Sequence, residues 1–135
     1  MAVQLNHTVV SAHDKQVSAE FLAEILGLST PAPFGPFMMV QADNEVTLDF
    51  IDSGGEIVSQ HYAFRVSDGE FDEIFGRIRE RGLSYWADPY HREPGEINTR
   101  DGGRGLYFDD PDGHNLEILT RPYGSGQYLD RRRGQ

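Results

Sequence analysis

Cysteine is absent from the 135 residues. Disulfides, thiolate metal sites and cysteine nucleophiles are excluded, and the composition fits a reducing cytoplasm. Basic residues are scarce as well: 12 Lys and Arg face 22 Asp and Glu, for a net charge of −10. A chain of that sign repels phosphate backbones on average, so nucleic acid is not an expected partner. The one basic cluster, Arg131-Arg132-Arg133, lies beside the C-terminus and reads as a solvated tail. No apolar run is long enough to span a membrane, and MAVQLNHTVV has neither the basic region nor the apolar stretch of a secretory signal. The expected location is cytoplasmic. What remains, 38% apolar and 25% charged residues, suits one soluble domain with a hydrophobic core.

Two stretches of the chain resemble each other. NHTVVSAHD (6–14) and QHYAFRVSD (60–68) each open on an amide and a His, and an Asp follows seven residues later. After Asp14, Val17, Phe21, Ile25 and Leu28 fall at helical spacing, with Gly27 placed as a stop; after Asp68, Phe71, Ile74, Phe75 and Ile78 do the same, with Gly82 as the stop. Ser67 and Glu70 read as a capping box. The remainder of each half is β-like. Strands are expected at 36–42 and 46–51 in the first half, and at 83–87, 105–109 and 115–120 in the second, the last two joined by the Asp110-Pro111-Asp112-Gly113 turn. The predicted class is α+β, with two βαβββ modules at about 3–53 and 57–121, a tail over 122–135, and a long loop between Asp88 and Arg104.

Strand alternation then singles out a few polar residues. Tyr62, Phe64 and Val66 form an apolar face, leaving His61, Ala63 and Arg65 on the other; Leu116 and Ile118 point one way and Glu117 the other. Asp49 lies opposite Leu48 and Phe50, and His7 is in register with Leu5 and Val9. An ionised Glu117 between Leu116 and Ile118 needs a partner, because desolvating a lone carboxylate costs several kcal/mol. Each half thus supplies one His and one carboxylate, His7 with Asp49 and His61 with Glu117, on the face that helices leave open. Convergence of these groups makes a nitrogen–oxygen site for one divalent transition metal: Fe, Mn, Ni, Co or Zn.

LNHTVV, QHYAFRV and GLYFDDPDGHNLEIL together resemble the vicinal oxygen chelate superfamily, which includes glyoxalase I, extradiol dioxygenases, fosfomycin-resistance thiol transferases and bleomycin-binding proteins. The likeness covers about residues 3 to 121. It implies a cup-shaped mixed sheet with helices on its outer face, usually in a homodimer. It also implies that His7, His61 and Glu117 bind the metal, with Asp49 at the position of a fourth ligand but one methylene shorter than the usual Glu. In many relatives each cup is completed by the partner subunit, so the His7/Asp49 half is expected from one chain and the His61/Glu117 half from the other. HYAF and YFDDPDGH look most like the fosfomycin enzymes, but ILTRPYGSG lacks their downstream basic residue and PGEINTRDGGRG lacks their monovalent-cation loop.

The candidate substrate contacts are Arg65, Tyr107 and Trp86: a cation for a carboxylate, a phenol that either faces the cup or is structural, and an indole that either stacks on a ligand or fills the core. His13 and His114 are expected in solvent; His91, in the long loop, reads as a surface histidine, with a substrate contact as the alternative. With Glu117 and Asp49 both at the metal, proton transfer of the glyoxalase kind is the first reading of the chemistry. With only two His and Glu117, ring cleavage with O₂ is the alternative. A metal-free drug-binding protein, suited to the acidic charge, is the third. The substrate is a small molecule in each case.

Overall fold

A computed structural model of the chain describes residues 2–122 and Gly124. The Arg131-Arg132-Arg133 cluster lies outside the described residues. The chain divides into two compact units, Met1–Ser59 with Asp110–His114, and Gln60–Asp109 with Asn115–Gln135. No helix among the described residues is long and apolar enough to cross a membrane. The class is α+β: two small mixed sheets, each with one helix.

The first unit runs β1 (His7–Ala12), α1 (Lys15–Leu26), β2 (Ala32–Phe34), β3 (Phe37–Gln41) and β4 (Thr47–Asp52). Its sheet has the order β1-β4-β3-β2, with β1 parallel to β4 and the other pairs antiparallel. Asp14 caps α1 by accepting from the N–H groups of Gln16 and Val17, and Gly27 ends it at φ 71, which only glycine adopts without strain. The buried face of α1 is Ser18, Ala19, Leu22, Ala23 and Ile25; of the expected Val17, Phe21, Ile25 and Leu28 stripe only Ile25 is fully buried. Val17 is half exposed. Small residues at 18, 19 and 23 let the helix lie close to β3 and β4, and that rotates the contact face away from the bulkier stripe. Val10, Ala12, Val40, Leu48 and Phe50 fill the core beneath it.

The second unit runs β5 (His61–Arg65), α2 (Asp68–Glu80), β6 (Gly105–Asp109) and β7 (Asn115–Leu119), in the sheet order β5-β7-β6. The Ser67–Glu70 capping box forms as expected. Its hydrogen bonds, led by the backbone and hydroxyl of Ser67, hold the Glu70 carboxyl below its ordinary value. Phe71, Ile74 and Ile78 are buried as the periodicity predicts, each worth about 1.5–3 kcal/mol on burial. Arg104 ties α2 down through Asp72 (2.7 Å) and Asp68 (3.2 Å) and lies over the Phe71 ring. The Asp72 bond, chiefly, raises the Arg104 pKa still further.

The strand expected at 83–87 does not form. Trp86 alone makes bridges there, to Pro94 and Tyr107. The neighbouring backbone groups are spent on the following loop instead: Ala87 N–H donates to Glu93 and Gly95 N–H to the carbonyl of Tyr85. The second unit is therefore βαββ, whereas the first is βαβββ.

Candidate metal and substrate site

Strand register places the four candidate ligands in matching positions within their own units. In the first, His7 pairs with Thr47, Val9 with Asp49, and Met39 with Asp49. In the second, His61 pairs with Asn115, Ala63 with Glu117, and Tyr107 with Glu117. Cross-strand partners share a face, and so do residues two apart on one strand. His7 and Asp49 thus occupy the face opposite α1, and His61 and Glu117 hold the corresponding places on β5 and β7.

In the second unit the side chains meet. Glu117 is 2% exposed, and its Oε1 lies 2.8 Å from His61 Nε2. Its other oxygen, Oε2, is buried with no hydrogen-bond partner. Tyr107, 1% exposed, meets the His61 ring edge to face at 5.7 Å and limits its rotation. Ala63 stands directly beside Glu117 in the sheet and brings no polar group to the carboxylate from that side. A buried carboxylate oxygen without a donor is costly, and a cation removes the cost. The donor types also fit: an imidazole nitrogen and a carboxylate oxygen are ligands that a divalent first-row ion would accept.

The first unit repeats half of this arrangement. Asp49 is 6% exposed, and its Oδ1 is likewise buried without a partner. His7 is exposed at the start of β1, with Nδ1 2.7 Å from the side-chain oxygen of Asn6. Among the described residues no hydrogen bond or ion pair joins His7 to Asp49. Arg65 is exposed at the end of β5, on the face of His61. Trp86 is half buried, and one face of its indole is taken by the His91 ring, stacked at 3.6 Å and 2°. A ligand therefore has only the other face or the edge of Trp86.

Two histidines depart from expectation. His114 is 1% exposed, and its Nε2–H donates to the Ser11 carbonyl at 2.8 Å, which fixes the tautomer. His91 is partly buried by Trp86 rather than free on the surface. His13 is exposed as expected, but its Nδ1 lies 2.9 Å from Asp112. Asp110, Asp112 and His114 gather their ligand atoms within 4.8 Å of one another. Their hydrogen bonds are already committed to the turn. Asp110 Oδ1 accepts from the N–H groups of Asp112 and His114, and Asp112 accepts from His13 N–H and the Ser18 hydroxyl. Burial raises the Asp110 carboxyl above its ordinary value against those donors; at Asp112 burial is outweighed by His13 and Ser18, and its carboxyl is held low.

Solved structures resemble the chain closely. "Oxidase ChaP-H1" is 70% identical with a TM-score of 0.90, covering 92% of this chain and 100% of its own. "Oxidase ChaP-H2" is 69% identical, also with a TM-score of 0.90, covering 93% and 99%. A more distant relative is the "Glutathione transferase FosA" of Serratia marcescens, 30% identical over an alignment of 125 residues that covers 87% of this chain and 81% of that protein. Residues 4–118 match the model of the Glyoxalase/Bleomycin resistance protein/Dioxygenase superfamily, and with a relative of 30% identity matched over most of both chains, the protein belongs to that superfamily.

Proposed function

We propose that the protein is a metal-dependent oxidase of a small organic substrate that presents two neighbouring oxygens, with His7, His61 and Glu117 holding the ion. The observation that carries the metal is the Glu117 carboxylate: 2% exposed, one oxygen on His61, the other without a partner. The similarity to two solved chains titled oxidase, at 70% and 69% identity, supports O₂ as the oxidant and moves oxidation ahead of the glyoxalase-like reading. When bound between two imidazoles and one carboxylate, a divalent first-row ion keeps positions open for substrate oxygens and, as iron, for O₂ chemistry.

The chain's own groups do the rest. Tyr107 holds the His61 ring in place by its edge-to-face contact. Arg65 stands on the same face, available to an anionic substituent of the substrate. His7 comes from one copy and His61 with Glu117 from its partner in a homodimer. Val9 and Phe34, 49% and 64% exposed on the face of Asp49, are the apolar surface such a partner covers. Oxygen uptake by Fe(II)-reconstituted protein with a catechol tests the reading; turnover that proceeds unchanged without O₂ overturns it.

A second reading rests on Asp49. Its buried, partnerless Oδ1 suits a fourth ligand or a group that moves a proton, as a glyoxalase-like isomerase requires. Isomerisation of a hemithioacetal under strict anaerobiosis, lost in Asp49→Asn, is the result that favours it.

A further inference from the structure

We infer that His91 is a substrate-binding residue, accepting through Nδ1 a hydrogen bond from a substrate hydroxyl beside the His61–Glu117 pair; this rests on the metal-dependent reading above. Register places His91 on the right face. His61, Asn115 and Asp109 form one row across β5, β7 and β6, and Ala63, Glu117 and Tyr107 form the next row on the same face. His91 Nε2 reaches two members of the first row, Asn115 Oδ1 at 3.2 Å and Asp109 Oδ1 at 3.6 Å. The imidazole therefore meets the row that contains His61, and Glu117 stands in the next row on the same face.

The tautomer follows from the neighbours. Asn115 Nδ2 donates to the Pro89 carbonyl at 3.2 Å, which turns Asn115 Oδ1 toward His91. An amide oxygen and a carboxylate both accept, so Nε2 carries the proton. In the neutral ring Nδ1 is then a lone-pair acceptor, and it has no hydrogen bond to any described residue.

The backbone is built to hold the ring there. His91 sits at φ 59, a left-handed conformation that costs a non-glycine residue of order 1–3 kcal/mol. Asp88, buried, clamps the loop by accepting from the N–H groups of Tyr90, Arg92 and Glu93. Trp86 fixes the ring plane by stacking. A loop with a purely connecting role needs none of these three constraints on a single side chain.

The test uses Zn(II)-loaded full-length protein and catechol as the probe, followed by calorimetry and by the emission of the single tryptophan, Trp86. Catechol should change the Trp86 emission of the wild type, since it bonds to the ring stacked on that indole. His91→Phe keeps a ring over Trp86 but removes the acceptor, and should weaken catechol by about three- to tenfold, the worth of one hydrogen bond. His91→Asn tolerates the left-handed backbone and keeps an acceptor near Nδ1, and should bind within about twofold of wild type. Wild-type heat of binding without any change in emission overturns the inference, with no variant required. So does His91→Phe binding as well as wild type, or a loss confined to His91→Asn, which marks a packing role. No catechol binding by Zn(II)-loaded wild type overturns the metal-dependent reading itself, and this inference with it.

Discussion

Glu117→Met in the metal-free protein should stabilise it. Glu117 is 2% exposed with one oxygen unpartnered, and such an orphaned acceptor costs about 1–3 kcal/mol. Methionine keeps the volume and removes the polar atoms; His61, whose side chain is 45% exposed, recovers its hydrogen bond from water. With an unfolding entropy of about 2.1 cal/mol/K per residue over 135 residues, a gain of about 1–3 kcal/mol raises Tm by roughly 4–11 °C. Metal reverses the order. Wild type at a free ion concentration one thousand times its Kd gains about 4.1 kcal/mol, more than the whole advantage of the variant, and the variant gains far less. Thermal unfolding of both proteins, in EDTA and with excess Zn(II), gives the four midpoints. A Glu117→Met protein less stable than wild type in EDTA would refute the reasoning, because the carboxylate would then be a structural group satisfied within the fold.

Other consequences follow from the same geometry. Ser67→Ala removes the capping box of α2 and should cost about 1 kcal/mol in urea unfolding, with an unchanged m-value. Asp112→Asn should flatten the acid limb of stability. The native Asp112 carboxyl is held below its ordinary 3.8, so its contribution is complete above that pH and is lost as pH falls through the lower native value. The advantage of wild type over the variant should therefore shrink from about pH 4 downward; an advantage that grows on acidification contradicts the assignment. Mixed dimers of His7→Ala and Glu117→Ala chains should regain one intact site, and metal bound by the mixture but by neither parent is the expected result. If no metal binding returns, the site is not shared between copies.

The repeat made half of this site readable in the sequence. His7 and His61 stand at the head of matching strands, and alternation alone put Glu117 and Asp49 on the faces opposite Leu116 and Leu48. The capping box of Ser67 was equally legible, since its chemistry is local. The duplicated Asp was only half informative: Asp14 caps α1, whereas Ser67 takes that role in α2 and frees Asp68 for Arg104. The remainder depends on contacts distant in the chain. Strand propensity at 83–87 yielded to a loop held by Asp88, and β2, only three residues long, carries no signal of its own. His114 looked like a turn residue because its acceptor, Ser11, lies at the other end of the chain. The stack of His91 on Trp86 similarly leaves no trace in periodicity.

The most direct test of a metal centre at Glu117 is an anaerobic Co(II) titration of the purified protein, followed by visible absorption. One Co(II) per chain should bind, and His7→Ala, His61→Ala and Glu117→Gln should each abolish the spectrum, while Asp112→Asn leaves it intact. Full Co(II) binding by Glu117→Gln, or its loss in Asp112→Asn, would contradict the assignment.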